Sequence, residues 1–93
     1  GLVELAVLME EMGKALVPGP YLSTVLLAGN AISLAGSEEQ KQNYLARICS
    51  GAARASLAVV EAEGAWNLAS LKMKATPVDG GYKLKGAKLF VTD

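Results

Sequence analysis

Apolar residues recur at three- and four-residue spacing early in the chain and at two-residue spacing towards its end, so the period changes from helical to strand-like. Leu2, Leu5, Met9, Met12 and Leu16 fall on one stripe and predict a first helix from about Leu2 to Leu16. Glu10 and Lys14, four apart in the favourable order, suit its exposed face. Pro18 ends it, because the residue ahead of a proline avoids helical angles. Pro20 suits the first turn of a second helix, about Pro20 to Ala35. That helix is apolar on most of its circumference, so it should be the central packed element. Gly36 stops it. Ser37, with Gln40 three residues on, makes a capping box for a third helix, about Glu38 to Ser50. Glu38 and Glu39 sit at the positive end of its dipole. Tyr44, Leu45 and Ile48 should face inward, and Gly51 closes the helix.

Beyond Ala55 the pattern reads as strands. Ser56 to Val60 is short and ends β-branched. Leu71, Met73 and Ala75 alternate with Lys72, Lys74 and Thr76, a half-buried strand. Asp79-Gly80-Gly81 signals a hairpin, after which Tyr82 and Leu84 alternate with Lys83 and Lys85. Leu89 and Val91 take one side of a last strand, and Phe90 and Thr92 the other. The expectation is three helices followed by about four strands.

Composition narrows the chemistry. The chain has 93 residues, 52% of them hydrophobic, which indicates a globular piece whose independent core would be small. It opens on Gly1 and stops at Asp93 inside a predicted strand, which suggests a fragment of a longer protein. Nine basic and nine acidic residues cancel, so no global field favours nucleic acid. The five lysines from Lys72 to Lys88 read as a solvated strand face. The absence of histidine removes Ser-His and Cys-His catalysis and the commonest metal ligand from this segment. Cys49 is expected as a small buried hydrophobe. Residues 15 to 37 carry no charge, but Pro18-Gly19-Pro20 leaves an apolar helix of about 15 residues where a bilayer needs about 20. The segment is therefore expected to be a buried helix and not a membrane span. There is no G-x-G-x-x-G and no phosphate-binding P-loop. Glu61 and Glu63 lack a partner base and read as solvated loop carboxylates.

Two stretches carry a more specific signal: Leu57-Ala58-Val59-Val60-Glu61-Ala62-Glu63-Gly64-Ala65-Trp66-Asn67, and Gly86-Ala87-Lys88-Leu89-Phe90-Val91-Thr92-Asp93. Without a gap, residues 57 to 93 resemble the entry into the middle β domain of acyl-CoA dehydrogenases. That family reads Tyr-Cys-Val-Thr-Glu-Pro-Gly-Ala-Gly-Ser-Asp and then Lys-Met-Trp-Ile-Thr-Asn. Gly36-Ser37-Glu38-Glu39-Gln40-Lys41, with Tyr44-Leu45 and Gly51, resembles the last helix of the family's N-terminal α domain. The resemblance implies an α+β fragment: residues 1–53 as the end of an all-α domain, and residues 54–93 as the first strands of an antiparallel, β-barrel-like domain.

The resemblance also implies FAD as cofactor, with Leu57, Val59, Val60, Ala65, Trp66, Phe90, Val91 and Thr92 at the flavin. Phe90 stands for a tryptophan that packs on the ring, and Thr92 for a threonine beside the reactive flavin nitrogen. Val60 replaces a threonine, and Trp66 a serine that touches cofactor and substrate, so Trp66 is also a substrate-side residue. The family's catalytic glutamate lies downstream, and nothing in this chain is assigned as catalytic or as a metal ligand. The implied partners are an acyl-CoA substrate, an electron-transfer flavoprotein and further subunits in a homo- or hetero-oligomer. The implied location is the cytoplasm, with organelle import left open. Two alternatives stand beside the dehydrogenase: a non-catalytic, degenerate subunit of a heteromeric member, and a helical interaction module.

Overall fold

The computed structural model describes residues 1–63 and 66–93. Three helical segments come first, then extended chain and one β-hairpin. The first helix, α1, is Leu2–Lys14, and its C-terminal Lys14 pairs with both Glu10 (3.1 Å) and Glu11 (2.7 Å). It stops two residues earlier than its apolar stripe suggests. Leu16 turns into the left-handed region (φ 50°), and Val17 N–H reaches back to the Met12 carbonyl at 3.1 Å, which satisfies an end carbonyl. No residue of α1 is fully buried.

The second helix, α2, runs as wide π turns over Leu22–Gly29 and then as α-helix over Asn30–Ala35. As its composition suggests, it is the packed centre: Ser23, Thr24, Ala28 and Gly29 are buried. Gly36 ends it, though with ordinary extended angles (φ −74°, ψ 151°) and not the left-handed ones of a glycine cap. Glycine is needed there because a Cβ would come within 2.5 Å of the Ile32 carbonyl oxygen.

The third helix, α3, comprises Glu38–Gln40, π turns over Lys41–Leu45, and Ala46–Cys49. Its capping box is complete: Gln40 N–H donates to Ser37 Oγ (3.2 Å), and Ser37 N–H donates to Gln40 Oε1 (2.9 Å). Leu45 and Ile48 are half-buried, Tyr44 is more open, and Gly51 leaves the helix with φ 76°. Cys49 is exposed, contrary to its expected burial; it stands in the last turn of α3, where no element covers it.

The strand count differs from the expectation. Among the described residues the ladder is a single hairpin, β1 (Ala75–Val78) and β2 (Gly81–Leu84), antiparallel with Ala75 opposite Leu84 and Val78 opposite Gly81. Gly80 supplies the turn with φ 79°. The strand predicted from Leu71 to Thr76 thus begins only at Ala75 and runs on to Val78. Ser56 to Val60 and the 89–92 segment join no ladder. One backbone bond, Leu89 N–H to the Val60 carbonyl at 2.7 Å, ties them together. Phe90 adopts φ 53°, which interrupts the pleat of the strand expected there. The α+β class holds; among the described residues the ladder has two strands and not about four.

The two halves meet along α2. Thr24 Oγ1 donates to the Ala55 carbonyl (2.9 Å) and accepts the Ala55 N–H (3.2 Å), and Ser23 Oγ donates to Asp93 Oδ2 at 2.7 Å. The buried hydrophobic residues among those described are Ala28 and Val60, one from each half. No helix among the described residues is long and apolar enough to cross a membrane.

Candidate functional site

Segments far apart in sequence converge on a cavity of about 260 Å³, lined by Leu27, Leu57, Val59, Val60, Trp66, Leu89, Phe90 and Thr92. Leu27 comes from α2, whose buried Thr24 fastens Ala55 and so brings the 57–60 segment alongside. The Leu89–Val60 backbone bond then sets the 89–92 segment against 57–60. Val60 is 2% exposed and forms the floor, whereas Phe90 (76%) and Trp66 (77%) stand at the open rim.

Six of the eight residues singled out from the sequence therefore line one space. Phe90 and Thr92 share it as expected, although a left-handed turn at Phe90, and not a regular pleat, brings them there. Val91 is outside the lining, and Ala65 lies outside the described residues. Leu27 and Leu89 were not anticipated. Leu27 carried the signal of an apolar helix position, and Leu89 was assigned by strand alternation to the side opposite Phe90. The lining side chains are apolar but for the Thr92 hydroxyl and the Trp66 indole N–H, and two of them are aromatic. Such a lining accepts a flat apolar ring with one hydrogen-bonding edge.

Behind the cavity lies an ionic cluster. The Glu61 carboxylate accepts the Lys72 N–H (2.7 Å), the Met73 N–H (2.9 Å) and Lys88 Nζ (2.8 Å); Lys88 also donates to the Val59 carbonyl at 3.0 Å. Both side chains are largely buried, Glu61 to 10% and Lys88 to 19% exposure. The Lys88 hydrogen bond, followed by the two backbone amides, lowers the Glu61 carboxyl from its ordinary 4.5 to about 2. Glu61 is thus not the solvated loop carboxylate its sequence context suggests, and Lys88 is no member of a solvated lysine face. Glu63 fits that description better: half-exposed, it pairs with Lys72 at 2.7 Å, which lowers the Glu63 carboxyl and raises Lys72.

A family model described as "Acyl-CoA dehydrogenase, N-terminal domain" matches residues 1–52. Mitochondrial isovaleryl-CoA dehydrogenase of Solanum tuberosum is 37% identical over 87 residues, which cover 91% of this chain and 21% of that protein. Acyl-CoA dehydrogenase FadE29 of Mycobacterium tuberculosis is 33% identical over 92 residues, 99% of this chain and 24% of its own length. Mitochondrial very long-chain specific acyl-CoA dehydrogenase of Rattus norvegicus is 30% identical over 87 residues, 91% of this chain and 13% of its own. The chain spans about a fifth of the length of the curated relatives it matches. No solved structure gives a significant match.

Proposed function

The chain belongs to the acyl-CoA dehydrogenase family, and from that premise we propose that it is part of a flavin-dependent oxidoreductase that desaturates an acyl-CoA thioester between its α and β carbons. The observation that carries this reading is the convergence of Phe90, Thr92, Trp66, Val59, Val60 and Leu57 on one apolar cavity. FAD, when bound, supplies the acceptor for the β-hydride. The residues of this chain bind and orient. Phe90 presents an aromatic face, the Thr92 hydroxyl offers a hydrogen bond at the ring edge, and Val59 and Val60 keep water from the inner wall. Trp66, at the rim, stands on the substrate side. The base that removes the α-proton is not contributed by this chain.

In this reading residues 1–53 close a helical domain and residues 54–93 open a β domain. The whole protein takes an acyl-CoA substrate, passes electrons to an electron-transfer flavoprotein and works as an oligomer, in the cytoplasm or, as the names of several relatives indicate for those proteins, in mitochondria. The test is the visible spectrum of the purified intact protein. An absorption band near roughly 450 nm, as oxidised flavins give, supports the reading; a folded, colourless protein that does not take up added FAD rejects it.

One observation favours a second reading. Trp66 places an indole, and Val60 a methyl, where the family has hydroxyls, and both side chains line the cavity. A degenerate subunit that stabilises an active partner would be colourless and would copurify with a flavin-bearing homologue. A helical interaction module would instead retain its binding partner when reduced to residues 1–53.

A further inference from the structure

We propose that the buried Lys88–Glu61 pair is the positioning element of the cavity wall, holding Val59–Val60 and Leu89–Thr92 in the arrangement that receives the ring; the inference rests on the flavin reading above. Lys88 lies next to Leu89 and two residues before Phe90, and Glu61 directly follows Val60. The ammonium spans both segments at once, 3.0 Å from the Val59 carbonyl and 2.8 Å from Glu61 Oε1. These two segments share one backbone bond, Leu89 to Val60, and belong to no ladder. Their register therefore depends on side-chain bonds that a regular sheet would make redundant.

The carboxylate is also held by two backbone amides. Oε2 accepts the Lys72 amide and Oε1 the Met73 amide, which ties the pair to the chain leading into β1. The site is thus polarised: two N–H donors converge where the anion sits, and a backbone carbonyl faces the cation. Exchanging the two charges would set an ammonium against amide donors and a carboxylate against a carbonyl oxygen, so a swapped pair cannot take the place of the native one. Opposite charge is not sufficient; the order matters.

The test compares FAD affinity with thermal stability in the intact protein. Lys88→Met and Glu61→Gln should weaken FAD binding by about tenfold or more, the effect of losing a charge-assisted bond that preorganises a site, and should change the fine structure of the bound-flavin spectrum. Lys88→Arg should recover most of the affinity, and the double exchange Glu61→Lys with Lys88→Glu should not. Gly36→Ala crowds the Ile32 carbonyl at the far end of α2, away from this cavity, and serves as the stability control: it should lower the melting temperature while leaving the affinity near wild type. Equal loss of FAD in Gly36→Ala and Lys88→Met, or unchanged affinity in a folded Lys88→Met protein, overturns the positioning role. So does failure of both Lys88→Met and Glu61→Gln to fold while Gly36→Ala folds, since the pair is then structural only. A wild-type protein that binds no FAD removes the flavin reading and this inference together, an outcome separable from the others because it needs no variant.

Discussion

Thr24 and Ala55 are joined in both directions: the Thr24 hydroxyl donates to the Ala55 carbonyl at 2.9 Å and accepts the Ala55 N–H at 3.2 Å. Thr24 is 7% exposed, so water cannot stand in for either bond. A methyl in place of the hydroxyl leaves a buried donor and acceptor unpaired, which costs about 1 to 3 kcal/mol. Thr24→Val should therefore lower the urea midpoint of unfolding, and because Thr24 holds the segment that leads to Leu57, it should loosen the junction between helices and β half first. Hydrogen exchange at the amides around Ala55 measures that loosening. Protection equal to wild type there would show that the junction is held by something else.

Two glycines, one inside a helix and one at the end of another, call for opposite outcomes. Gly36 has angles any residue adopts, but an added Cβ meets the Ile32 carbonyl oxygen at 2.5 Å. Gly36→Ala should cost about 1 to 3 kcal/mol, as overpacking against a fixed atom does. Gly13 lies inside α1 with nothing within 4 Å of a Cβ, so Gly13→Ala should stabilise by up to about 1 kcal/mol through helix propensity. Thermal unfolding of the two variants side by side decides the matter by sign alone.

Glu61 predicts how the fold responds to acid. Its carboxyl is held at about 2 in the folded chain against an ordinary 4.5. A group depressed on folding contributes stability that is complete above its unfolded value and is lost as pH falls through the interval down to its folded value. The groups bonded to it are the Lys88 side chain and the Lys72 and Met73 amides. Stability should therefore decline between about pH 5 and about pH 2, and the decline should be shallower in Glu61→Gln. Urea midpoints at several pH values across that window measure the slope. An identical slope in the variant would assign the acid sensitivity to the other carboxylates.

The helices were legible because their signals are local. Ser37 and Gln40 are three residues apart, and their capping box formed as the spacing requires. The apolar character of α2 likewise identified the packed centre. What the sequence did not disclose depends on partners far along the chain. Thr24 and Ser23 lie within the uncharged run read as a buried helix, yet they fasten positions 31 and 70 residues away. Glu61 looked solvated because its partners lie 11, 12 and 27 residues downstream. Strands were over-read for the same reason: alternation marks a segment able to pair, whereas a ladder needs a neighbour in register, and among the described residues only 75–78 and 81–84 have one. The candidate site was legible from the family resemblance and not from periodicity, which would have divided Leu89 from Phe90.

Val60 and Trp66 offer a test in which stability and affinity should move apart. Val60 is 2% exposed and forms the floor of the cavity. Val60→Thr keeps the shape but brings a hydroxyl into an apolar wall, so the protein without cofactor should lose about 1 kcal/mol. If a flavin docks there, the same hydroxyl gains a partner, and FAD affinity should rise about two- to tenfold. Trp66→Ser acts at the rim: it removes an exposed indole, should leave stability nearly unchanged, and should open the substrate side of the cavity. Melting temperature without cofactor and FAD titration by flavin fluorescence provide the two axes. A Val60→Thr protein that loses stability and gains no affinity would mean that the hydroxyl meets no ring, and the cavity would then be an ordinary packing gap between α2 and the β half.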